Sequence, residues 1–315
     1  MINLTQLPIL IRREFWEHRW AFIYAPLIIA GLVLVLLIMG MFFAMEIDNT
    51  RLFTESAMRE FAANSTSDKH TLMRIPLLGL VVNFTGIMQI VLFFYLVGAL
   101  YDERKDRSIL FWKSLPVSDT TTIASKLATA GIAVPLVYML TAAALQLIFL
   151  LVGSGYALAA EVPLWSTIWA PAGLPELWAS VLVAIPVQML WALPLFGWFL
   201  LVSAFAPRLP WMIALAIPGL IGLFQNYFSL LDRFKLADHN LWIIFIQRFG
   251  EGVLPMSFSF DGDINDEVIL SGVLDAFSLG NNLARLGRLD LWLGVLVGLA
   301  LLYAAIRIRA RATDS

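Results

Sequence analysis

The chain contains no cysteine and little charge: of 315 residues, 14% are Asp, Glu, Lys or Arg, against roughly 25% in an average soluble domain. The missing cysteine excludes disulfide frameworks, thiolate zinc sites and thiol nucleophiles. There are only three histidines. His18, His70 and His239 all lie outside the apolar runs, and no His-Glu-x-x-His pattern exists. No Gly-x-x-x-x-Gly-Lys-Ser/Thr run exists either, so the chain has no P-loop of its own. Gly153-Ser154-Gly155 sets a serine between glycines, but no histidine in a span is there to activate it, and it reads as a turn at a span edge. We therefore name no catalytic residue, no metal ligand and no cofactor held by this chain, and expect a protein that is not itself an enzyme. The net charge of -2 gives no basic face for nucleic acid. Disorder is excluded by the 60% apolar content, because disordered segments are poor in hydrophobic residues.

What is present is long hydrophobic runs. Mean hydropathy is +0.82, and six apolar stretches reach the roughly 18 residues needed to cross a bilayer. They run over about 21–45, 75–101, 127–153, 177–206, 211–231 and 289–306. None has a charge in its interior. The first is too long for the 7–15-residue core of a cleavable signal peptide and reads as a retained helix. The expected fold is an all-α polytopic membrane protein: residues 1–20 form an interfacial helix and residues 21–315 a six-span domain. With both termini cytoplasmic, the inner segments hold 12 of the 21 lysines and arginines in about 58 residues. The outer segments hold 9 in about 109, a bias in the sense of the positive-inside rule.

Outside the spans, Leu4, Leu7, Ile11, Phe15 and Phe22 fall on one helical stripe, which predicts an amphipathic helix in the cytoplasmic interface. An extended tail is the alternative. Residues 46–74 read as a solvated outer loop of mixed charge. Residues 154–176 read as irregular surface chain. Within the outer segment 232–288, Leu241 to Ile246 is too short to span, and Val268 to Leu279 has amphipathic spacing. Short re-entrant or interfacial helices are thus expected before the last span.

Residues 102–119 read Asp-Glu-Arg-Lys-Asp-Arg-Ser-Ile-Leu-Phe-Trp-Lys-Ser-Leu-Pro-Val-Ser-Asp. A charged cluster runs straight into the apolar group Ile109 to Trp112. Pro116 disfavours helix at Leu115, and Ser118 or Asp119 can cap the next span. This predicts a short, partly greasy helix facing the cytoplasm, docked on a protein groove or on anionic lipid.

The layout of residues 101–118 after the second of six spans resembles the permease subunits of type-2 ABC exporters. The resemblance implies a coupling helix that docks on a separate ABC ATP-binding subunit. Arg104, Lys105, Asp106, Arg107, Ile109, Phe111, Trp112, Lys113 and Pro116 would make that contact. Arg208, in the turn Ala206 to Pro210, would be a smaller second contact. It further implies ATP and Mg on that partner, a second permease copy or a homologue, surrounding membrane lipid, and a bacterial inner (plasma) membrane. The expected function is export of a hydrophobic or amphipathic cargo. Among neutral polar groups of the spans, Asn83, Gln89, Gln146, Gln188 and Asn226 are candidate cargo contacts, although such groups more often bond helix to helix. Two other readings stay open. One is a non-transporting module that passes ATPase-driven force to an outer partner. The other is a secondary transporter, disfavoured by the absence of charge from the span sequences.

Overall fold

In a bilayer each backbone N–H and C=O must be satisfied within its own segment, so long apolar runs become helices. A computed structural model of the chain follows this rule. It describes residues 6–46, 50–114, 117–230, 240–253 and 277–311, and among them there is no strand.

In chain order the helices are α1 (Leu7–Glu17), α2 (Ala25–Glu46), α3 (Thr50–Ala63), α4 (Thr66–Gly98), α5 (Tyr101–Lys105), α6 (Ser108–Ser114), α7 (Asp119–Ala128) and α8 (Val134–Ala159). There follow α9 (Ala170–Ala172), α10 (Leu174–Phe205), α11 (Pro210–Leu230), α12 (Leu241–Val253), α13 (Leu279–Ala284) and α14 (Leu289–Arg311). Turns of π-helix at Trp20–Tyr24, Thr129–Ala133 and Trp165–Trp169 join α2, α8 and α9 to what precedes them. Among the described residues, six helices are long and apolar enough to cross a membrane: Trp20–Gly40, Thr66–Lys105, Asp119–Ala159, Trp165–Phe205, Pro210–Phe228 and Leu289–Arg311. They coincide with the six stretches read from the sequence, and the chain is an integral membrane protein by this measure.

The connections depart from expectation. Residues 46–74 are not a loop: α3 fills much of them, and Ser65 caps α4 by accepting a hydrogen bond from the Asp68 N–H at 3.1 Å. Residues 154–176 are mostly helical, with Thr167, Ile168 and Ala172 buried. Ser154 is no turn. It sits inside α8, donates to the Leu150 carbonyl and accepts from the Trp169 indole N–H at 3.0 Å. In α1 the innermost residues are Leu10 and Glu14, so the buried face is rotated from the expected stripe, and Ile9 and Trp16 are exposed. Leu4, Pro116 and most of the expected helix from Val268 to Leu279 lie outside the described residues.

Two ends of the bundle can be told apart. The basal end gathers α1, α5, α6, the start of α7 and the last turns of α10 and α14. The distal end carries α3, the start of α4 and the start of α10, where Arg74 pairs with Glu176. One core, built on Phe84, Leu92, Leu96, Tyr138, Phe196 and Phe199, fills the basal and middle levels. A second, around Leu77, Leu150, Ile168 and Leu177, fills the distal level. Helix α2 stands at the edge, with Leu27, Ile28, Leu32 and Leu36 exposed. Its anchor is the π turn at its foot, where Phe22 is fully buried and the Tyr138 hydroxyl donates to the Ala21 carbonyl at 2.8 Å.

The most extensive packing joins α10 and α14, which run side by side in the same direction. Glycine makes this possible. A Cβ on Gly298 would lie 2.7 Å from the Leu193 carbonyl carbon, and one on Gly197 would lie 2.8 Å from the Gly298 oxygen. Small residues that let helix backbones touch are a general means of packing in membranes. Gly298→Val should therefore cost about 1–3 kcal/mol by overpacking and lower the thermal midpoint in detergent. Gly31→Ala on α2, where a Cβ meets nothing within 4 Å, should leave it unchanged.

Candidate functional site

The basal end is held by charges taken out of water. Glu14, Glu103, Lys126 and Arg309 are all buried, at most 4% exposed. Lys126 Nζ lies 3.0 Å from Glu14 Oε1 and 3.1 Å from Glu103 Oε1. Arg309 bridges Glu103 through Nη1 and Asp119 through Nε, the latter at 2.9 Å. Arg13 closes the group at 3.4 Å from Glu103. The Tyr95 hydroxyl donates to Glu14 at 2.8 Å. Three cations thus face three carboxylates contributed by α1, α5, α7 and α14. Of the two candidate caps of α7, Ser118 caps, accepting from the Thr121 N–H, which leaves Asp119 for Arg309. Beside this cluster His18 packs edge-on against Tyr95. Burial, partly opposed by Glu14, holds its pKa below the usual histidine value.

The segment 101–112 is welded into this cluster. Between α4 and α5 the Ser203 hydroxyl accepts hydrogen bonds from the N–H groups of Leu100 and Tyr101, at 2.8 and 3.0 Å. Arg104 donates to the carbonyls of Ser203 and Ala206, at 2.8 and 2.9 Å. It therefore ties α5 to the end of α10 and to the turn that carries Arg208. Arg107 turns the chain between α5 and α6 with a left-handed φ of 56°. Past it, Ile109 is buried at 5% exposure, while Leu110 and Phe111 are 46% and 59% exposed. Trp112 is half-buried beneath the Arg13 guanidinium, 3.5 Å from the ring centroid. Of the aromatic pair, Phe111 therefore protrudes and Trp112 packs inward. Lys105, Asp106, Arg107 and Arg208 are exposed; the Lys113 side chain and Pro116 lie outside the described residues.

The five candidate cargo contacts separate. Asn83 is exposed and donates to Gly79 on its own helix. Gln146 is locked between the Leu77 carbonyl and the Trp178 indole N–H, at 2.9 and 2.8 Å. Asn226 accepts from Asn240 at 2.7 Å and so helps seat the start of α12. Only Gln89 and Gln188 come together. Both line a small cavity of about 70 Å³ with Thr85 and Gly252. Gly252 leaves room for both amides: a Cβ there would displace the end of the Gln89 side chain and lie 3.3 Å from the Gln188 amide nitrogen.

That cavity adjoins charges the span sequences do not contain. Glu251 of α12 and Arg285, just after α13, are both buried and lie 3.3 Å apart, and Arg285 reaches the Gln188 oxygen at 3.3 Å. The span sequences themselves carry no interior charge, as read; the ion pair comes from α12 and the turn after α13, which pack against them. A buried pair beside the spans weakens the ground on which a gradient-driven transporter was disfavoured. No protein-family model, no curated protein and no solved structure matches the chain.

The sequence reading missed the basal cluster. One signal was available, since Glu14 lies three residues after Ile11 and seven after Leu7, a carboxylate on the apolar side of an amphipathic helix.

Removing one partner of a buried charge cluster leaves the others uncompensated and costs about 3–5 kcal/mol. Lys126→Met should therefore lower the thermal midpoint sharply, and Glu14→Gln added to it should restore part of the loss. His18 should add an acid sensitivity. With the folded value depressed, the unfolded chain takes up the proton first as pH falls below about 6.5. Stability supplied by neutral His18 is complete above that pH and declines below it; His18→Gln should flatten a thermal midpoint plotted from pH 7 to pH 5.

Proposed function

We propose that the chain is the membrane-spanning permease subunit of an ATP-driven exporter of the type-2 ABC class, working with a separate ATP-binding subunit. The observation that carries this reading is the build of residues 101–112. Leu110 and Phe111 stand exposed on a short helix whose base is fixed by Glu103 and Arg104 to α7, α10 and α14. A solvated loop has no use for exposed apolar groups on so rigid a mount. A partner that changes shape on binding ATP needs both a grip and a stiff lever. In this reading Phe111 is the knob, with Lys105, Arg107 and Arg208 around it, and the basal end faces the cytoplasm.

On that reading a push on α6 passes through the basal cluster into α4, α10 and α14 together, because these elements share buried ion pairs and hydrogen bonds. Two copies, or this chain and a homologue, would open a path between them. The apolar walls around Gln89 and Gln188 favour a hydrophobic or amphipathic cargo. The location is a plasma membrane of bacterial type. A module that passes force to an outer partner uses the same lever without cargo. A gradient-driven transporter gains one specific observation in its favour, the buried Glu251–Arg285 pair.

Co-expression with a stand-alone ATP-binding subunit, followed by purification, tests the reading. Leu110→Ala with Phe111→Ala should abolish ATPase stimulation and co-purification, while the stability of the permease stays within about 1 kcal/mol of the parent. Full stimulation in that variant removes the coupling role. Cargo flux in sealed vesicles that runs on an ion gradient with no ATPase present establishes the gradient-driven alternative.

A further inference from the structure

A groove of about 680 Å³ runs between α10, α11, α12 and α14. Its walls include Pro194, Trp198, Ile221, Phe245, Val297 and Leu301. Ile221 and Val297 are 43% and 54% exposed, so the groove opens sideways, where a membrane protein meets lipid. Its distal mouth is charged, with Arg248, Glu251, Arg288 and Asp290. At 1.5 Å per residue, Asp290 stands about 28 Å along α14 from Arg309, close to the thickness of the hydrocarbon layer. From Asp290 to Leu301 the wall extends about 16 Å back into the bundle. The groove is thus polar at its distal mouth and apolar inward.

Among the described residues the charge at the mouth is unbalanced. Arg285 pairs with Glu251, and Arg288 pairs with Asp290. Arg248 donates to two backbone carbonyls, those of Trp191 at 3.0 Å and Asp290 at 2.8 Å, and pairs with no carboxylate among the described residues. All three guanidiniums surround Trp191, at 4.4, 4.9 and 5.3 Å from its ring centroid. Trp191 is 3% exposed, also lines the groove, and its indole N–H finds no acceptor among the described residues. Space for Arg248 is built in: a Cβ on Gly294 would lie 2.5 Å from its Nη1.

We propose that this groove binds an anionic phospholipid drawn sideways from the bilayer, its phosphate held by Arg248 and Arg288 and one acyl chain laid along Trp198, Val297 and Leu301. Guanidiniums make strong charge-assisted hydrogen bonds to phosphate oxygens. A zwitterionic lipid compensates the excess charge less well, and an apolar helix from a second copy leaves it uncompensated. The site stands apart from the coupling reading, because binding here requires no ATP-binding subunit, and either can fail while the other holds.

The test uses the full chain in nanodiscs of equal phosphatidylglycerol and phosphatidylcholine, with retained lipid read by native mass spectrometry after mild delipidation. Phosphatidylglycerol should be enriched about tenfold, as expected for a charge-assisted contact. A photoreactive phosphatidylglycerol should label peptides containing residues 191–198 and 293–301. Arg248→Gln should erase the enrichment. Because Arg248 also ties α12 to α10, Val297→Trp, which fills the groove and leaves the arginine in place, should erase it with an unchanged thermal midpoint. Equal retention of the two lipids, or full enrichment in Val297→Trp, overturns the proposal. So does efficient disulfide formation between copies carrying Val297→Cys in this cysteine-free chain, since a second copy would then fill the groove.

Discussion

Four side chains that ordinarily seek water, Glu14, Glu103, Lys126 and Arg309, are buried together where α1, α5, α7 and α14 meet. Moving each into a low-dielectric interior costs several kcal/mol, and only their mutual attraction and hydrogen bonding offset it. The cluster is therefore close to all-or-none. If α5 moved alone, Lys126 and Arg309 would each lose one of their two carboxylates and Glu103 would lose both of its buried cations, so movement of the five-residue helix pulls on the others. Ser203 and Arg104 add α10 to the group through hydrogen bonds to free backbone groups. A small exposed helix thereby becomes a handle on most of the bundle.

The handle is connected to the distal end by stiff parts. Helices α10 and α14 touch backbone to backbone at Gly197 and Gly298, so neither can slide without moving the other. About 15 Å or more above the basal cluster, counted along α4 and α10, the same helices meet a second polar layer. There Gln188 and Trp191 receive Arg285 and Arg248, and Gly252 admits Gln89. Between the layers the contacts are apolar and aromatic. The two polar layers specify register, and the packed side chains between them transmit displacement because a dense interior has little room to absorb it.

The spans were legible in the sequence because hydrophobicity over some 20 residues is a sum, insensitive to detail. The cap of α7 was legible to within one residue, Ser118 or Asp119, and the structure settles it on Ser118. The connections were less so. Polar residues of 50–63 and 66–74 looked like loop, yet they continue as helix because they pack on a distal core made by α8, α9 and α10. The site was the least legible part. Trp112 and Phe111 are adjacent and similar in letters, and only the placement of Arg13, ninety-nine positions earlier, sends one inward and leaves the other out. Gln146 and Gln188 likewise look alike, but one is fixed by Trp178 and the other faces Arg285.

The sequence by itself determined that this is a helical membrane protein with six helices long and apolar enough to span and a short, partly greasy helix after the second, because local composition and periodicity decide insertion and helicity. The tertiary structure alone decided which charges are buried, which aromatic protrudes, and that an ion pair enters the bundle from the segment before α14. Those outcomes depend on pairings between residues tens to hundreds of positions apart, such as Glu103 with Arg309, and no local pattern encodes a partner's position in space.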